Sequence, residues 1–220
     1  QRQMCIRDRF YSVSDEEVTV YLEHEGQIVQ VEYLNESVYT NVSISKSGYT
    51  QVVPGQEIRY TFKDIGNNST VPLDSFYWRD TLPTDAVRLD KIITGTYSAR
   101  LNYKVVFQTN LNDTQRVLAD NLNTQKNYTL DASPAALGLA SNEYVTQVTF
   151  LFGRVPGGFK QVETPYIYCD VLSNLSHEYR FANKCDVGGM WQNQWVQATD
   201  RWVTIIYRGG PVPTLPRTGY

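Results

Sequence analysis

A lysine, a carboxylic acid and a carboxamide stand in this sequence where strand periodicity turns them toward apolar faces. In VSISK (42–46), Val42, Ile44 and Lys46 share one side of a period-two strand. In FYWRD (76–80), Phe76, Trp78 and Asp80 do so. In FANKCDV (181–187), Phe181, Asn183, Cys185 and Val187 do so. Burial would change what these groups can do. A desolvated lysine loses its proton more readily and becomes a nucleophile, while a buried acid stays protonated and can polarise a carboxamide. Asp80 is the best-placed acid; Glu57 and Asp64 are weaker choices. A plainer reading stands beside this one. Lys46 ends its strand and can reach solvent, and Asp80 and Asn183 can cap turns.

Other reactive residue types are sparse. Cys169 and Cys185 fall on successive expected strands. In an exported protein they could form a disulfide across a hairpin; two buried free thiols are the alternative. The absence of C-x-x-C excludes zinc ribbons and thioredoxin-like chemistry. His24, between Glu23 and Glu25, reads as a solvated strand edge, and His177 lies in a polar turn. Neither suggests a metal, and no cofactor is expected. No H-E-x-x-H, G-x-S-x-G or P-loop string occurs, so the expectation is a protein that is not an enzyme. A secreted glycoside hydrolase is the least favoured class. Trp191 and Trp195 lie in GGMWQNQW, whose glycines read as a loop. Exposed there, they could stack on a sugar or anchor a protein partner. The N-x-S/T sites at Asn35, Asn41, Asn68, Asn112, Asn127 and Asn174 read as compositional in a chain rich in Asn, Ser and Thr.

The elements that would hold these residues are strands. Short alternating segments recur almost throughout, with turn signals roughly every 8–12 residues. They include VTVYLEH (18–24), EIRYTF (57–62), EYVTQVTFLF (143–152) and QWVQATDRWVTIIYR (194–208). EIRYTF sets Ile58, Tyr60 and Phe62 against polar neighbours, and DIGNNST after it reads as a turn. SPAALGLAS (133–141) is the one expected helical turn, with Pro134 at its start. The expected fold is all-β: an immunoglobulin-like or jelly-roll β-sandwich with an extended C-terminal linker over 209–220.

Bulk properties agree. The 220 residues are 41% hydrophobic and 20% charged, with a net charge of -3 and 16 tyrosines. There is no basic stripe, so nucleic acid is not an expected partner. No apolar run is long enough to span a membrane. The opening QRQMCIRDR differs in texture from the rest and reads as a sequencing-adapter remnant of a metagenomic reading frame, so Cys5 carries no weight and the true N-terminus is expected to be missing. Residues 10–41 read as the end of a preceding module or as added strands, and 42–208 as the sandwich.

Several strings together resemble the conserved-repeat surface domain of Gram-positive bacteria, domain of unknown function eleven. VPGQEIRYTF (53–62) is similar to its opening strand, RDTLP (79–83) to its D-T-L-P turn, and FANKCDV to its closing strand. The likeness covers roughly residues 42–207 and departs at DIG (64–66) and at Cys185. Residues 86–172 make a longer insert than a plain repeat has. Leu215, Pro216, Arg217, Thr218 and Gly219 match the LPxTG sorting signal of such proteins. Pro216 fixes an extended path, and Gly219 opens the Thr218–Gly219 bond to attack. The resemblance implies a sortase substrate joined to peptidoglycan and exposed outside the bacterial cell wall. The apolar helix and basic tail that follow such a signal do not follow Tyr220, so a truncated copy is expected. The resemblance also implies a structural stalk that presents other domains, or an adhesin. The alternative is a module that binds a carbohydrate or a host protein on the same anchor. Relatives often carry a self-formed isopeptide crosslink between Lys and Asn, which would assign Lys46, Asn183 and the helper acid Asp80.

Overall fold

The structure, a computed structural model, describes residues 9–14, 17–24, 27–34 and 38–209. It divides between Tyr39 and Thr40 into two compact units. In the first, strands β1 (Arg9–Ser14), β2 (Glu17–His24) and β3 (Gln27–Leu34) form a three-stranded antiparallel meander. The β2–β3 ladder runs from Glu17 opposite Leu34 to His24 opposite Gln27.

The second unit is an all-β sandwich. Its strands are β4 (Val42–Ser47), β5 (Gln51–Val52), β6 (Glu57–Asn67), β7 (Leu73–Thr81), β8 (Val87–Ile93), β9 (Thr96–Tyr97) and β10 (Asn102–Thr109). They continue as β11 (Asn112–Asn123), β12 (Thr129–Asp131), β13 (Val145–Val155), β14 (Gln161–Glu163), β15 (Tyr166–Val171), β16 (Arg180–Trp191) and β17 (Gln194–Ile206). One sheet has seven strands in the order β11-β10-β13-β7-β16-β17-β5. The facing sheet has five, β12-β8-β15-β6-β4, and β14 and β9 form a small ribbon. Only β5 on β17 pairs in parallel among the described strands. The chain crosses between the large sheets repeatedly, so neighbours in sequence seldom share a sheet.

Alternation explains the layers. Val42, Ile44 and Lys46 of β4 are buried, as are Ile58, Tyr60 and Phe62 of β6 and Phe76, Trp78 and Asp80 of β7. Their inward faces meet in an aromatic centre. Trp78 stacks on Phe150 with centroids 3.9 Å apart and lies 4.9 Å from Phe62 of the opposite sheet. Its indole N–H donates to the Tyr97 hydroxyl at 2.9 Å, so the one polar atom of the ring is satisfied.

The segment 133–141 forms the single helical turn expected there: Leu137 N–H bonds the Ser133 carbonyl, and Leu139 and Gly138 (φ 62°) bond Pro134 and Ala135 in the pattern that caps a helix end. Two local expectations are corrected. DIGNNST is not a turn at its start, because β6 runs on to Asn67. Asp64 takes a φ of 56° there, and Gly66 admits the Phe159 carbonyl, which a Cβ would meet at 2.9 Å. GGMW is not a loop, because β16 continues to Trp191 and turns through Gln192 and Asn193, both at positive φ. Gly189 is needed for packing: a Cβ would stand 2.8 Å from the Leu73 Cβ. The expected linker lies outside the described residues beyond Gly209.

Replacing Trp78 by Ala removes the stacked centre and leaves the Tyr97 hydroxyl without its donor. A loss of about 3–5 kcal/mol is expected, read from urea unfolding.

Candidate functional site

The three inward polar residues meet. Lys46 comes from β4, at the edge of the five-stranded sheet, opposite Phe62 of β6. The outer edge of β4 reaches the other sheet: the Lys46 N–H donates to Asp200 Oδ2 of β17 at 2.7 Å. Asp80 and Asn183 lie on the adjacent strands β7 and β16 of the seven-stranded sheet. Cys185 is the residue opposite Asp80, which puts Asn183 on its diagonal, within side-chain reach.

Lys46 Nζ donates to Asp80 Oδ1 at 2.5 Å, and both side chains are fully buried. Asn183 Nδ2 donates to Asp80 Oδ2 at 3.2 Å, also buried. The carboxyl group therefore bridges amine and carboxamide, one oxygen to each. Aromatic rings line the amine: Nζ lies 4.1 Å from the Phe62 centroid and 4.6 Å from that of Tyr60. Two polar atoms here lack a hydrogen-bond partner, Asn183 Oδ1 and the Tyr60 hydroxyl.

Burial raises the Asp80 carboxyl above the ordinary aspartate value. The Lys46 charge and the hydrogen bonds from Lys46 and Asn183 oppose this without reversing it. Asp80 thus holds a proton more readily than an exposed aspartate, and the short bond to Nζ gives that proton a path. Burial likewise keeps the Tyr60 phenol protonated, well above its usual 10. Tyr60, Phe62 and Asp200 were not singled out from sequence as site residues. Alternation marked Tyr60 and Phe62 as inward, but nothing within one strand shows which lysine they face.

The weaker acids stand elsewhere. Glu57 is exposed and pairs with Lys91 at 3.4 Å, and Asp64 accepts from the Ser45 hydroxyl at 2.7 Å. Cys169 and Cys185 are free and buried. They do not form a hairpin pair, because β15 and β16 belong to different sheets. Burial raises both thiols, Cys185 to about 12, so they remain protonated and inert at neutral pH. His177 Nδ1 accepts from the Arg208 N–H. Trp191 and Trp195 do not make a joint platform. Trp191 is half-buried against the core, whereas Trp195 pairs with Met190 across the hairpin and is 53% exposed. Trp195 meets the Tyr77 ring edge-on at 6.2 Å, on the outer face of the sheet. Leu215, Pro216, Arg217, Thr218 and Gly219 lie outside the described residues.

No family model matches the chain, and no curated protein matches it. Solved structures are similar in part. A protein from Corynebacterium diphtheriae described as membrane anchored aligns with a TM-score of 0.38 and 12% identity; the alignment covers 94% of this chain and 47% of that one. This chain therefore spans about half the length of that structure. AvmM, which catalyses macrocyclization in alchivemycin A biosynthesis, aligns with a TM-score of 0.29 and 9% identity over 88% of this chain and 98% of its own. ACE19, the collagen-binding subdomain of the Enterococcus faecalis surface protein ACE, aligns with a TM-score of 0.31 and 11% identity over 77% of this chain and 98% of its own. At these TM-scores the likenesses carry no functional weight.

Asp80→Ala strands the Lys46 amine in an apolar core. In an Asn183→Ala background, where no bond to residue 183 can form, it is expected to lower stability by about 3–5 kcal/mol. Replacing both charges together, Lys46→Met with Asp80→Leu, is expected to be neutral or stabilising in the same urea titration.

Proposed function

We propose that residues 40–209 are a structural module of a Gram-positive surface protein, stapled by a self-formed isopeptide bond between Lys46 and Asn183. The observation that carries this reading is the buried bridge of Asp80 between amine and carboxamide. The proton of the Lys46 ammonium passes to Asp80 Oδ1. The free amine attacks Asn183 Cγ, forming the C–N bond. The attacking nitrogen gives up a further proton through the carboxyl group, which protonates Nδ2. The Cγ–Nδ2 bond breaks, and the nitrogen leaves as ammonia carrying, in the overall balance, the lysine's extra proton. Asp80 ends as it began, and each molecule reacts once, so the domain is a self-modifying substrate and not a turnover enzyme.

Such a bond would tie β4, the first strand of the sandwich, to β16, the penultimate one. On the entropic scale established for disulfides, closing a loop of this length stabilises by about 4–5 kcal/mol. A stalk under pull benefits most from a clamp of this kind, since the joined strands cannot separate without breaking an amide. The string at 215–219 supports the rest of the reading: sortase as the enzyme acting on the chain, peptidoglycan as its covalent partner, and an extracellular cell-wall location. The likeness of 53–62, 79–83 and 181–187 to the conserved-repeat surface domain supports it also.

A second reading, a face that binds a carbohydrate or a host protein, rests on exposed Trp195 against Tyr77. Specific retention on a glycan or matrix-protein array that is abolished by Trp195→Ala would support it; unchanged retention would remove it.

Intact mass tests the staple. The wild-type chain is expected to weigh one ammonia less than its sequence, and Lys46→Ala and Asn183→Ala are expected at full mass. A wild-type chain at full mass would overturn the staple.

A further inference from the structure

Asp80 sits on the wrong side of Asn183 to stabilise its carbonyl oxygen. Its Oδ2 faces Nδ2, the nitrogen that must leave. The sequence suggested an acid that polarises the carboxamide, whereas the geometry assigns Asp80 to proton transfer. Asn183 Oδ1 is left fully buried with no donor. When an amine adds to Cγ, that oxygen becomes an oxyanion, and in a dry core an unpartnered oxyanion is prohibitively expensive. A donor must come from a neighbouring side chain.

One candidate is poised there. The Tyr60 hydroxyl is the other orphaned polar atom of the site. It stands beside the side chains of Asn183 and Thr204, outside hydrogen-bond geometry with either. The Thr204 hydroxyl is itself committed, donating to the Tyr49 carbonyl at 2.8 Å. The ring of Tyr60 lies beneath the Lys46 amine, 4.6 Å from Nζ, so the phenol belongs to the same pocket as the nucleophile. Gly48, just after β4, lets that ring pack: a Cβ there would meet Tyr60 at 3.1 Å and Trp202 at 3.2 Å.

We propose that Tyr60 is the oxyanion donor of the crosslinking reaction, its O–H closing on Asn183 Oδ1 as the tetrahedral intermediate forms. This rests on the isopeptide reading above. No bond in the ground state is required. A contact made only as Cγ pyramidalises lowers the barrier without stabilising the reactant, which is the arrangement that accelerates a reaction. The orphaned pair is then the unreacted state of an oxyanion hole. No proton is transferred from the phenol: it donates a hydrogen bond, and the proton accounting through Asp80 is unchanged.

The test follows crosslinking by intact mass in a cell-free translation sampled over time, with the whole 220-residue chain. Tyr60→Phe keeps the ring and removes only the hydroxyl. It is expected to fold, as judged by near-ultraviolet circular dichroism, and to lose ammonia roughly 100-fold more slowly than wild type. Fluorotyrosine at position 60, a stronger donor of the same shape, is expected to restore or exceed the wild-type rate, which a purely space-filling role for Tyr60 would not produce. Equal rates for Tyr60→Phe and wild type would overturn the role of Tyr60 while leaving the staple intact. A wild-type chain that never loses ammonia would overturn both. Should Tyr60→Phe fail to fold, the fluorotyrosine rate decides alone, and a rate indifferent to phenol acidity would overturn the assignment.

Discussion

The fold is organised around an unfavourable act, the removal of a lysine and an aspartate from water into an aromatic core. Dehydrating each ion costs several kcal/mol, and mutual attraction rarely returns more than that. Here the cost is offset by a short Lys46–Asp80 contact, by the Asn183 donor on the second carboxyl oxygen, and by the faces of Phe62 and Tyr60. Apolar side chains of similar volume would fill the same space with less to offset. Charges retained where hydrophobic residues would serve stability as well point to chemistry.

The proposed chemistry would impose demands on the topology. The amine must come from one sheet and the acid and amide from the other, or the groups could not converge between the layers. β4 meets the demand as an edge strand whose backbone also bonds Asp200 across the gap. β7 and β16 meet it as neighbours whose register sets Asn183 diagonal to Asp80. Around them Trp78, Phe150 and Phe62 fill the layer and exclude water. The aromatic packing and the Lys46–Asp80–Asn183 cluster are thus one structure. The rings that hold the sheets together also supply the low dielectric in which the Asp80 carboxyl rises.

Much of this was legible along the chain, because strand periodicity is a local property. Alternation marked Lys46, Asp80 and Asn183 as inward, and all three are buried. What misled was composition read without its surroundings. Gly66 suggested a turn and Gly189 a loop, but each stands in a strand where another segment presses too close for a Cβ. Cys169 and Cys185 suggested a hairpin because they are near in sequence, but the chain changes sheet between them. Trp191 and Trp195 suggested a shared platform until the hairpin register sent them to opposite faces.

The sequence by itself determined the all-β character, the inward facing of Lys46, Asp80 and Asn183 and the tail string at 215–219, since each depends on residues within a few positions of one another. Only the tertiary structure decided that the three side chains meet, that Asp80 faces the amide nitrogen and not its oxygen, and that Tyr60 stands by with an unspent hydroxyl. Those facts depend on which strands become neighbours across two sheets. That choice is made by the packing of the whole aromatic core, and no single strand contains it.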